Sequence, residues 1–267
     1  MSKVRWPEGL RKISLVCFNR PVIGVIAADC LQVLAFHVHF KVIDGMSYVE
    51  GTRGIFNWPL DGLTFPAGLR ELFLGNRFNQ SIDAVAWPEG LERLSMPGFN
   101  QPIQDVQWPP RLKTLEFSCP GESERGELLP HLPWERQEWG FDQPLGTFLP
   151  MTLETLLLSE NFDRSLRGVT WPTRLSVLGL GMQISAESMD GVEWPPSLRR
   201  LICSNEFLDV GDIPPGCEVF CLVPDDVSYT NQSDYKDDYG YEFESDDDDR
   251  WSEFEFDDDD RWSEFSL

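Results

Sequence analysis

A phrase of 21 or 22 residues recurs along this chain and limits what the chain can fold into. Each copy carries Phe-Asn-x-(Pro/Ser)-(Ile/Leu), then Val, then an aromatic residue followed by Pro, then Leu-x-x-Leu-x-(Leu/Met/Phe). Three consecutive copies open at Phe56, Phe78 and Phe99, which are 22 and 21 residues apart. Self-similarity at such a period is the sequence signature of a stacked-repeat protein. The sequence therefore predicts a solenoid in which each copy buries its apolar side chains against its neighbours.

Prolines at fixed places in each copy exclude long helices. The aromatic–proline pair recurs, for example as Trp87-Pro88 and Trp108-Pro109, and proline removes a backbone donor and kinks a helix interior. Between the prolines, the last two apolar positions of Leu-x-x-Leu-x-(Leu/Met/Phe) alternate, as one face of a short strand requires. Strands of successive copies can pair in parallel, about 4.8 Å apart. We therefore predict a mainly β fold, a parallel β-solenoid.

Equivalent residues of successive copies are expected to stack inside the solenoid. The predicted buried aromatic residues are Phe78, Phe99, Phe162, Trp87, Trp108 and Trp171. An Asn or Asp follows the repeated Phe and could be read as a binding residue. We favour a structural role, because short amide and carboxylate side chains satisfy backbone groups in turns.

The phrases Phe78-Asn79-Gln80-Ser81-Ile82 and Phe99-Asn100-Gln101-Pro102-Ile103, each followed by Trp-Pro and Leu-x-x-Leu, resemble the FNIP-repeat family, a divergent branch of leucine-rich repeats. The resemblance covers most of residues 4–215. It implies a leucine-rich-repeat-like parallel β-solenoid, here of about ten 21–22-residue repeats, and a role in binding proteins. It implies no catalytic residue, because the motif of the family is structural.

The chain is predicted to consist of a repeat domain and an acidic tail. Residues 1–224 form the solenoid, with irregular rungs at about 41–54 and 118–140. Because Phe99 and Phe141 are 42 residues apart, or two periods, we expect a divergent rung between them that keeps the register. Residues 225–267 carry 18 Asp and Glu against three Lys and Arg, with almost no aliphatic residue. That composition predicts a disordered acidic-aromatic tail.

The charge and the cysteines restrict the class of protein. The formal net charge is −23, of which −15 falls in the tail, so nucleic-acid binding is disfavoured. No run of 18 apolar residues predicts a membrane span, and the first residues have no apolar signal-peptide core. The six Cys show no paired spacing. We expect reduced thiols in a monomeric cytoplasmic protein, with the nucleus as an alternative location.

Candidate chemistry is sparse. His37 and His39 could begin a metal site, but no third or fourth ligand follows at a recognisable spacing, and His131 has no nucleophile motif nearby. Cys217 and Cys221 could form a redox pair, although packing on one side of a strand explains them better. The glycines follow the repeat and form no phosphate loop. We therefore predict no enzyme, no cofactor and no metal site.

The predicted binding surface consists of strand residues that face away from the core. They are Glu71, Phe73, Arg93, Ser95, Thr114, Glu116, Thr155, Leu157, Arg200 and Ile202. They mix both charge signs with apolar groups, as a protein-binding surface can, so the leading hypothesis is an interaction scaffold for a protein of unknown identity.

The acidic tail supports the alternative hypothesis, in which the solenoid is a spacer and the tail is a chaperone-like arm that binds basic proteins. Aromatic residues are interleaved with its carboxylates. The predicted contacts are Trp251, Phe254, Trp262 and Phe265. A purely solubilising tail and loose Ca²⁺ binding by the Asp runs also stay open, although no calcium-binding loop is present.

Overall fold

The computed structural model describes most of the repeat region. Its described residues are 7–15, 18–22, 30–36, 55–118, 121–122, 128–129, 140–181, 183–203 and 213–221. The chain divides into two units, Met1–Asp226 and Val227–Leu267. The second unit lies outside the described residues, so the disorder of the tail and its boundary at residue 225 stay predictions.

Nine short strands form one parallel sheet, which confirms the predicted mainly β solenoid. In chain order the strands are β1 (Lys12–Ser14), β2 (Val33–Ala35), β3 (Glu71–Phe73), β4 (Arg93–Ser95), β5 (Thr114–Glu116), β6 (Gly121–Glu122), β7 (Leu128–Leu129), β8 (Thr155–Leu157), β9 (Val177–Gly179), β10 (Arg200–Cys203) and β11 (Glu218–Cys221). The order in the sheet is β1-β2-β3-β4-β5-β8-β9-β10-β11, and β6 and β7 form a separate antiparallel pair. The one helix among the described residues, α1 (Ala186–Met189), has a single turn.

The repeated proline begins the turn that leads into the strands of the sheet, except β2, where Ala28 stands at the proline position. The carbonyl of Pro88 accepts a hydrogen bond from the Leu91 N–H at 3.1 Å, and Leu153 donates to Pro150 at 3.2 Å. This is the bond between the first and fourth residues of a β-turn. Because it uses the carbonyl of proline, the missing N–H costs the turn nothing. The first Leu of each Leu-x-x-Leu therefore ends the turn, and the strand follows.

The middle residue of each strand points into the core. These central residues of seven strands have no exposed surface; they are Leu34, Leu72, Leu94, Leu115, Leu156, Leu178 and Leu201. Adjacent members are register partners in the parallel sheet. The core is thus a continuous column that no single repeat could bury alone.

The predicted phenylalanine ladder is confirmed. Phe56, Phe78, Phe99, Phe141 and Phe162 are all fully buried. Their rings are stacked, with successive centroids 6.0, 6.5, 6.3 and 6.2 Å apart. Aromatic pairs at such distances add stability beyond their buried area.

Two further phenylalanines directly follow strands. Phe36 follows β2 and Phe117 follows β5, at a position where the other rungs carry Leu, Met or Cys. The Phe36 ring lies 4.0 Å from that of Phe56, and the Phe117 ring lies 4.0 Å from that of Phe141. Both pairs are stacked and buried.

The tryptophans are buried less uniformly than predicted. Trp171 is buried at 9% exposure, but Trp87 and Trp108 are only half-buried. The Trp108 indole N–H donates to the carbonyl of Phe148 at 2.7 Å. A large ring with a polar edge often stays at the rim of a core, where the N–H can reach a partner. Trp87 and Trp108 therefore lie at the margin of the solenoid, whereas Trp171 is buried; the indole N–H groups of Trp87 and Trp171 have no hydrogen-bond partner among the described residues.

The Asn or Asp after each Phe forms a polar ladder, as the structural reading predicted. The Asn57 side-chain carbonyl accepts from the Asn79 N–H, that of Asn79 from the Asn100 N–H, and that of Asn100 from the Asp142 N–H, each at 2.9 Å. Asp163 continues the series by donating its N–H to Asp142 at 3.1 Å. Each side chain therefore satisfies a backbone donor of the next rung, which a buried or half-buried backbone requires.

The prediction of a register-keeping rung within 118–140 is wrong. β5 pairs directly with β8, with Thr114 opposite Thr155, and the ladder bond from Asp142 to Asn100 spans 42 residues in place of 21 or 22. Residues 118–140 are therefore an insertion between neighbouring rungs, and β6 and β7 belong to it. The spacing of 42 residues between Phe99 and Phe141 equals two repeat periods, but a spacing alone does not show that the intervening segment forms a strand of the sheet.

A second long connection joins β2 to β3. Val33 is the register partner of Glu71, and the ladder bond from Asn57 to Asn19 spans 38 residues. The weakened rung predicted at about 41–54 lies outside the described residues. Because β2 and β3 are neighbours, the nine-stranded sheet has no rung between them.

Candidate protein-binding surface

The sheet has a second face, opposite the core, which we call the outer sheet face. It consists of two rows, because the first and third residues of each strand point away from the central residue. The first row is Lys12, Val33, Glu71, Arg93, Thr114, Thr155, Val177, Arg200 and Glu218. The third row is Ser14, Ala35, Phe73, Ser95, Glu116, Leu157, Gly179, Ile202 and Phe220.

All ten residues predicted for the binding surface lie in these two rows. The five in the first row are half-buried; they are Glu71, Arg93, Thr114, Thr155 and Arg200. In the third row, Phe73 is also half-buried. That any of them contacts a partner stays a prediction.

Four third-row residues of the predicted surface point away from the core, as predicted, but are buried by their neighbours. Ser95, Glu116, Leu157 and Ile202 are buried, at 3%, 0%, 5% and 3% exposure. Leu157 shows one cause, since its side chain leans over Gly179, where an added Cβ would lie 2.9 Å from Leu157 Cδ2. Side chains in adjacent parallel strands are close enough to cover one another. The first row, with Phe73, is therefore the accessible part of the candidate surface.

Arg93 is the centre of a polar cluster on the outer sheet face. Its Nη2 lies 2.8 Å from Glu116 Oε1, and its Nε donates to the same oxygen at 3.0 Å. Its guanidinium carbon lies 5.0 Å from the centroid of the Phe73 ring, a cation–π distance. The Arg93 side chain is 28% exposed and the Glu116 side chain is fully buried. The cluster therefore presents one partly exposed cation whose position is held from two sides.

The environment of Glu116 disfavours its charge. Burial raises the pKa of this carboxyl above its ordinary value, and the nearby Arg93 charge and Ser95 hydroxyl oppose that shift without cancelling it. The second oxygen, Oε2, has no hydrogen-bond partner among the described residues. A carboxylate with one unsatisfied oxygen is costly to bury. Nothing in the sequence pattern predicts this, since Glu116 occupies an ordinary outward position.

A second arginine–aromatic pair lies at the C-terminal end of the sheet. Arg200 has its guanidinium carbon 4.9 Å from the centroid of the Phe220 ring, and Phe220 is 44% exposed. Phe220 was absent from the predicted surface. The sequence carried a signal for it, because Glu218, Val219 and Phe220 alternate as in a strand with one buried face, and this alternation places Phe220 on the outer face.

The residues considered as metal ligands or as a redox pair are only partly within the described residues. His37, His39 and His131 lie outside the described residues, and within those residues no three His, Cys, Asp or Glu side chains are grouped to hold a metal ion. Cys217 precedes β11 and is half-buried, and burial raises the pKa of its thiol. The register partner of Cys221 in the sheet is Cys203 and not Cys217, the cysteine with which the sequence analysis paired it. Within the described residues, no helix has the length and apolar content of a membrane span.

The tail residues predicted to contact basic proteins, Trp251, Phe254, Trp262 and Phe265, all lie outside the described residues. Their part in binding stays a prediction.

Comparison with known proteins finds a likeness among solved structures. No protein-family model matches the chain, and the search of curated proteins found no match either. Among solved structures, the chain is similar to CroV588, described as a novel circular LRR protein, with 19% sequence identity, a TM-score of 0.45 and 81% of this chain covered. The chain spans 34% of the length of that protein. The parallel β-solenoid itself is established by the nine parallel strands and their column of buried leucines.

Proposed function

We propose that this chain is a non-catalytic scaffold that binds another protein on its outer sheet face. The observation that carries the proposal is the pair of arginines on that face, Arg93 and Arg200, each half-buried and lying over an aromatic ring at 5.0 and 4.9 Å. Arginine and aromatic side chains supply much of the binding energy of protein interfaces. Their repeated pairing on one face therefore favours recognition of a protein.

The anchoring of Arg93 supports the same proposal. A hydrogen bond and an ion-pair contact to Glu116, together with the Phe73 ring, restrict its side chain before any partner arrives. Ordering a flexible side chain costs about 0.5–1.5 kcal/mol on association. A preordered arginine avoids part of that cost.

The test compares proteins captured by the full chain and by variants whose outer face is obstructed. Thr114→Arg with Thr155→Arg adds bulk and charge to two neighbouring half-buried positions of the first row. The matched control is Thr173→Arg, because Thr173 is exposed and lies outside the strands. We expect the control to retain a partner that the double variant loses. Equal capture of the same partners by all three proteins would remove the outer face from consideration.

The acidic tail supports a second candidate function, a chaperone-like interaction with basic proteins. Its charge of −15 accelerates encounter with cations, and this effect weakens as salt shortens the Debye length to about 8 Å at 0.15 M. Replacing Trp251, Phe254, Trp262 and Phe265 with Ser keeps the charge and removes the aromatics. We expect faster dissociation from a basic protein such as a histone, because buried aromatic residues hold complexes together. Unchanged dissociation would leave the tail as a polyanion, and no binding by either version would leave it as a solubilising segment.

The proposal extends to family and location. The phenylalanine and Asn/Asp ladders give the two most repeated residues of the FNIP-like phrase structural roles, which supports membership of that family. Residence in the cytoplasm or nucleus is proposed from the unpaired spacing of the six Cys. Imaging of the full chain with a fluorescent protein at either terminus tests the location, and accumulation in a secretory compartment would contradict it.

A further inference from the structure

The sheet has two edge strands, β1 and β11, each with one side that no other described strand of the sheet covers. Within the described residues, β1 pairs only with β2, and β11 pairs only with β10. An unpaired edge presents a row of backbone donors and acceptors that another strand can bind. All pairs in this sheet are parallel, so a β1 edge can follow a β11 edge without any reversal of strand direction.

The backbone pattern along the stack specifies how such a junction forms. At each step, the first residue of a strand donates to the residue before the previous strand, as Arg93 N–H does to Arg70 C=O at 3.0 Å. The residue after a strand donates to the third residue of the next, as Leu74 N–H does to Ser95 C=O at 2.9 Å. Applied once more beyond β11, the same step pairs Lys12 N–H with Cys217 C=O, and Cys221 N–H with Ser14 C=O.

The side chains at the two edges match in the same register. Val219 would lie against Ile13 and extend the central column, and the exposed Glu218 would meet the exposed Lys12. Val219 is half-buried, whereas the central residues from Leu34 to Leu201 have no exposed surface. At the other end, Leu10, Leu15 and Phe18 are also only half-buried. Both terminal rungs therefore leave core side chains incompletely covered.

We propose that the partner of each end is a second copy of this chain, with β11 of one copy pairing in parallel with β1 of the next. The contact uses different surfaces on the two copies, so it is head-to-tail and generates closed rings or open chains. This proposal of head-to-tail association differs from the monomer that the sequence analysis expects. It does not depend on the outer sheet face, and its failure would leave the proposed protein-binding function untouched.

The test measures the mass of the full chain in solution by sedimentation over a concentration series. We expect a mass that rises above that of the monomer with concentration. Lys12→Glu or Glu218→Lys alone places like charges at the junction and should weaken association by about tenfold or more. The double variant Lys12→Glu/Glu218→Lys restores an opposite pair and should restore association.

The matched control is Lys113→Glu, which makes the same change of charge at the ion pair between Lys113 and Glu92, in the middle of the stack. It should associate like the wild-type chain. Equal weakening in this control would show that net charge alone acts, and would overturn the proposal. A wild-type chain that stays monomeric at about 1 mM, where even millimolar contacts populate, would also overturn it.

A backbone variant tests the junction without using charge. The ladder step leaves Val219 N–H pointing away from β10, whereas Glu218 N–H donates to Arg199 at 2.8 Å within the stack. Val219→Pro therefore removes a donor only from the free edge, where proline is tolerated. We expect loss of association with the thermal midpoint kept close to that of the wild type. Undiminished association in a folded Val219→Pro chain would refute the strand pairing.

Discussion

Substitution of Arg93 tests whether the buried carboxylate of Glu116 depends on one cation. Arg93→Met keeps much of the aliphatic stem but removes the guanidinium. A hydrogen bond of 3.0 Å and an ion-pair contact of 2.8 Å to Glu116 Oε1 are lost, while Oε2 already has no partner among the described residues. The variant therefore strands a negative charge on a side chain with no exposed surface.

The expected loss follows from the burial of the two partners. Removing one partner of a buried ion pair costs about 3–5 kcal/mol. Because Arg93 is 28% exposed, water compensates part of its loss, and we expect about 3 kcal/mol at pH 7. Glu116→Gln keeps an acceptor for Arg93 and removes the buried charge, so it should stay within about 1 kcal/mol of the wild type. The double variant should lose only about 1 kcal/mol, which makes the coupling energy about 2 kcal/mol.

The dependence on pH separates charge from packing. The folded-state pKa of Glu116 is raised above its ordinary value of 4.5, so the folded chain binds this proton more tightly than the unfolded chain. The cost of the ionised form is present above the folded pKa and is relieved as pH falls through that pKa towards 4.5. The loss caused by Arg93→Met should therefore shrink on acidification. The same dependence should be absent when Glu116→Gln is added.

The assay is urea denaturation of the four proteins at pH 7 and near pH 5, followed by circular dichroism. A loss below about 1 kcal/mol for Arg93→Met at pH 7 would refute the claim that Glu116 depends on this cation. So would a loss of equal size in the presence of Gln at position 116, because packing alone would then explain it.

Three further predictions concern the ladders. Leu94→Ala should cost about 2–5 kcal/mol in urea denaturation, because Leu94 has no exposed surface; less than about 1 kcal/mol would place it outside the core. Asn100→Ala should cost about 1–3 kcal/mol, because it removes the acceptor of the Asp142 N–H and of the Gln143 side-chain amide, whereas Asn100→Asp keeps an acceptor oxygen and should cost less. Three hydrogen bonds from Ser185 and Ser188 lower the pKa of Asp163 below 3.8 in the folded chain. The stability that ionised Asp163 contributes is therefore present above pH 3.8 and is lost as pH falls through the lower folded pKa. Asp163→Asn should make the free energy of unfolding less dependent on pH in this acidic range, and an unchanged dependence would contradict the assignment.

The repeat architecture could be predicted from the sequence because the same residues recur at the same positions of each repeat. Phe78 and Phe99 identify themselves as one ladder, since residues one period apart must stack in any solenoid. Asn79 could be assigned a backbone role for the same reason.

Features that depend on contacts between rungs were less accessible from the sequence. The spacing of Phe99 and Phe141 fits two periods, and only the direct pairing of β5 with β8 shows that the intervening segment is an insertion. The outward direction of Glu116 follows from alternation, but its burial depends on Arg93 and its other neighbours in space. The partnerless Oε2 is likewise a three-dimensional property.

The stacked ring pairs Phe36–Phe56 and Phe117–Phe141 bear on how this solenoid tolerates changes in length. Each pair lies 4.0 Å apart and bridges a long connection between adjacent strands. The two rings fix the exit and re-entry of the chain, so the number of residues between them does not alter the registration of later rungs. For a flexible connection, doubling its length costs only about 0.6 kcal/mol in closure entropy. A reporter domain or binding peptide can therefore be inserted into either of these two connections without changing the register of the strands that follow.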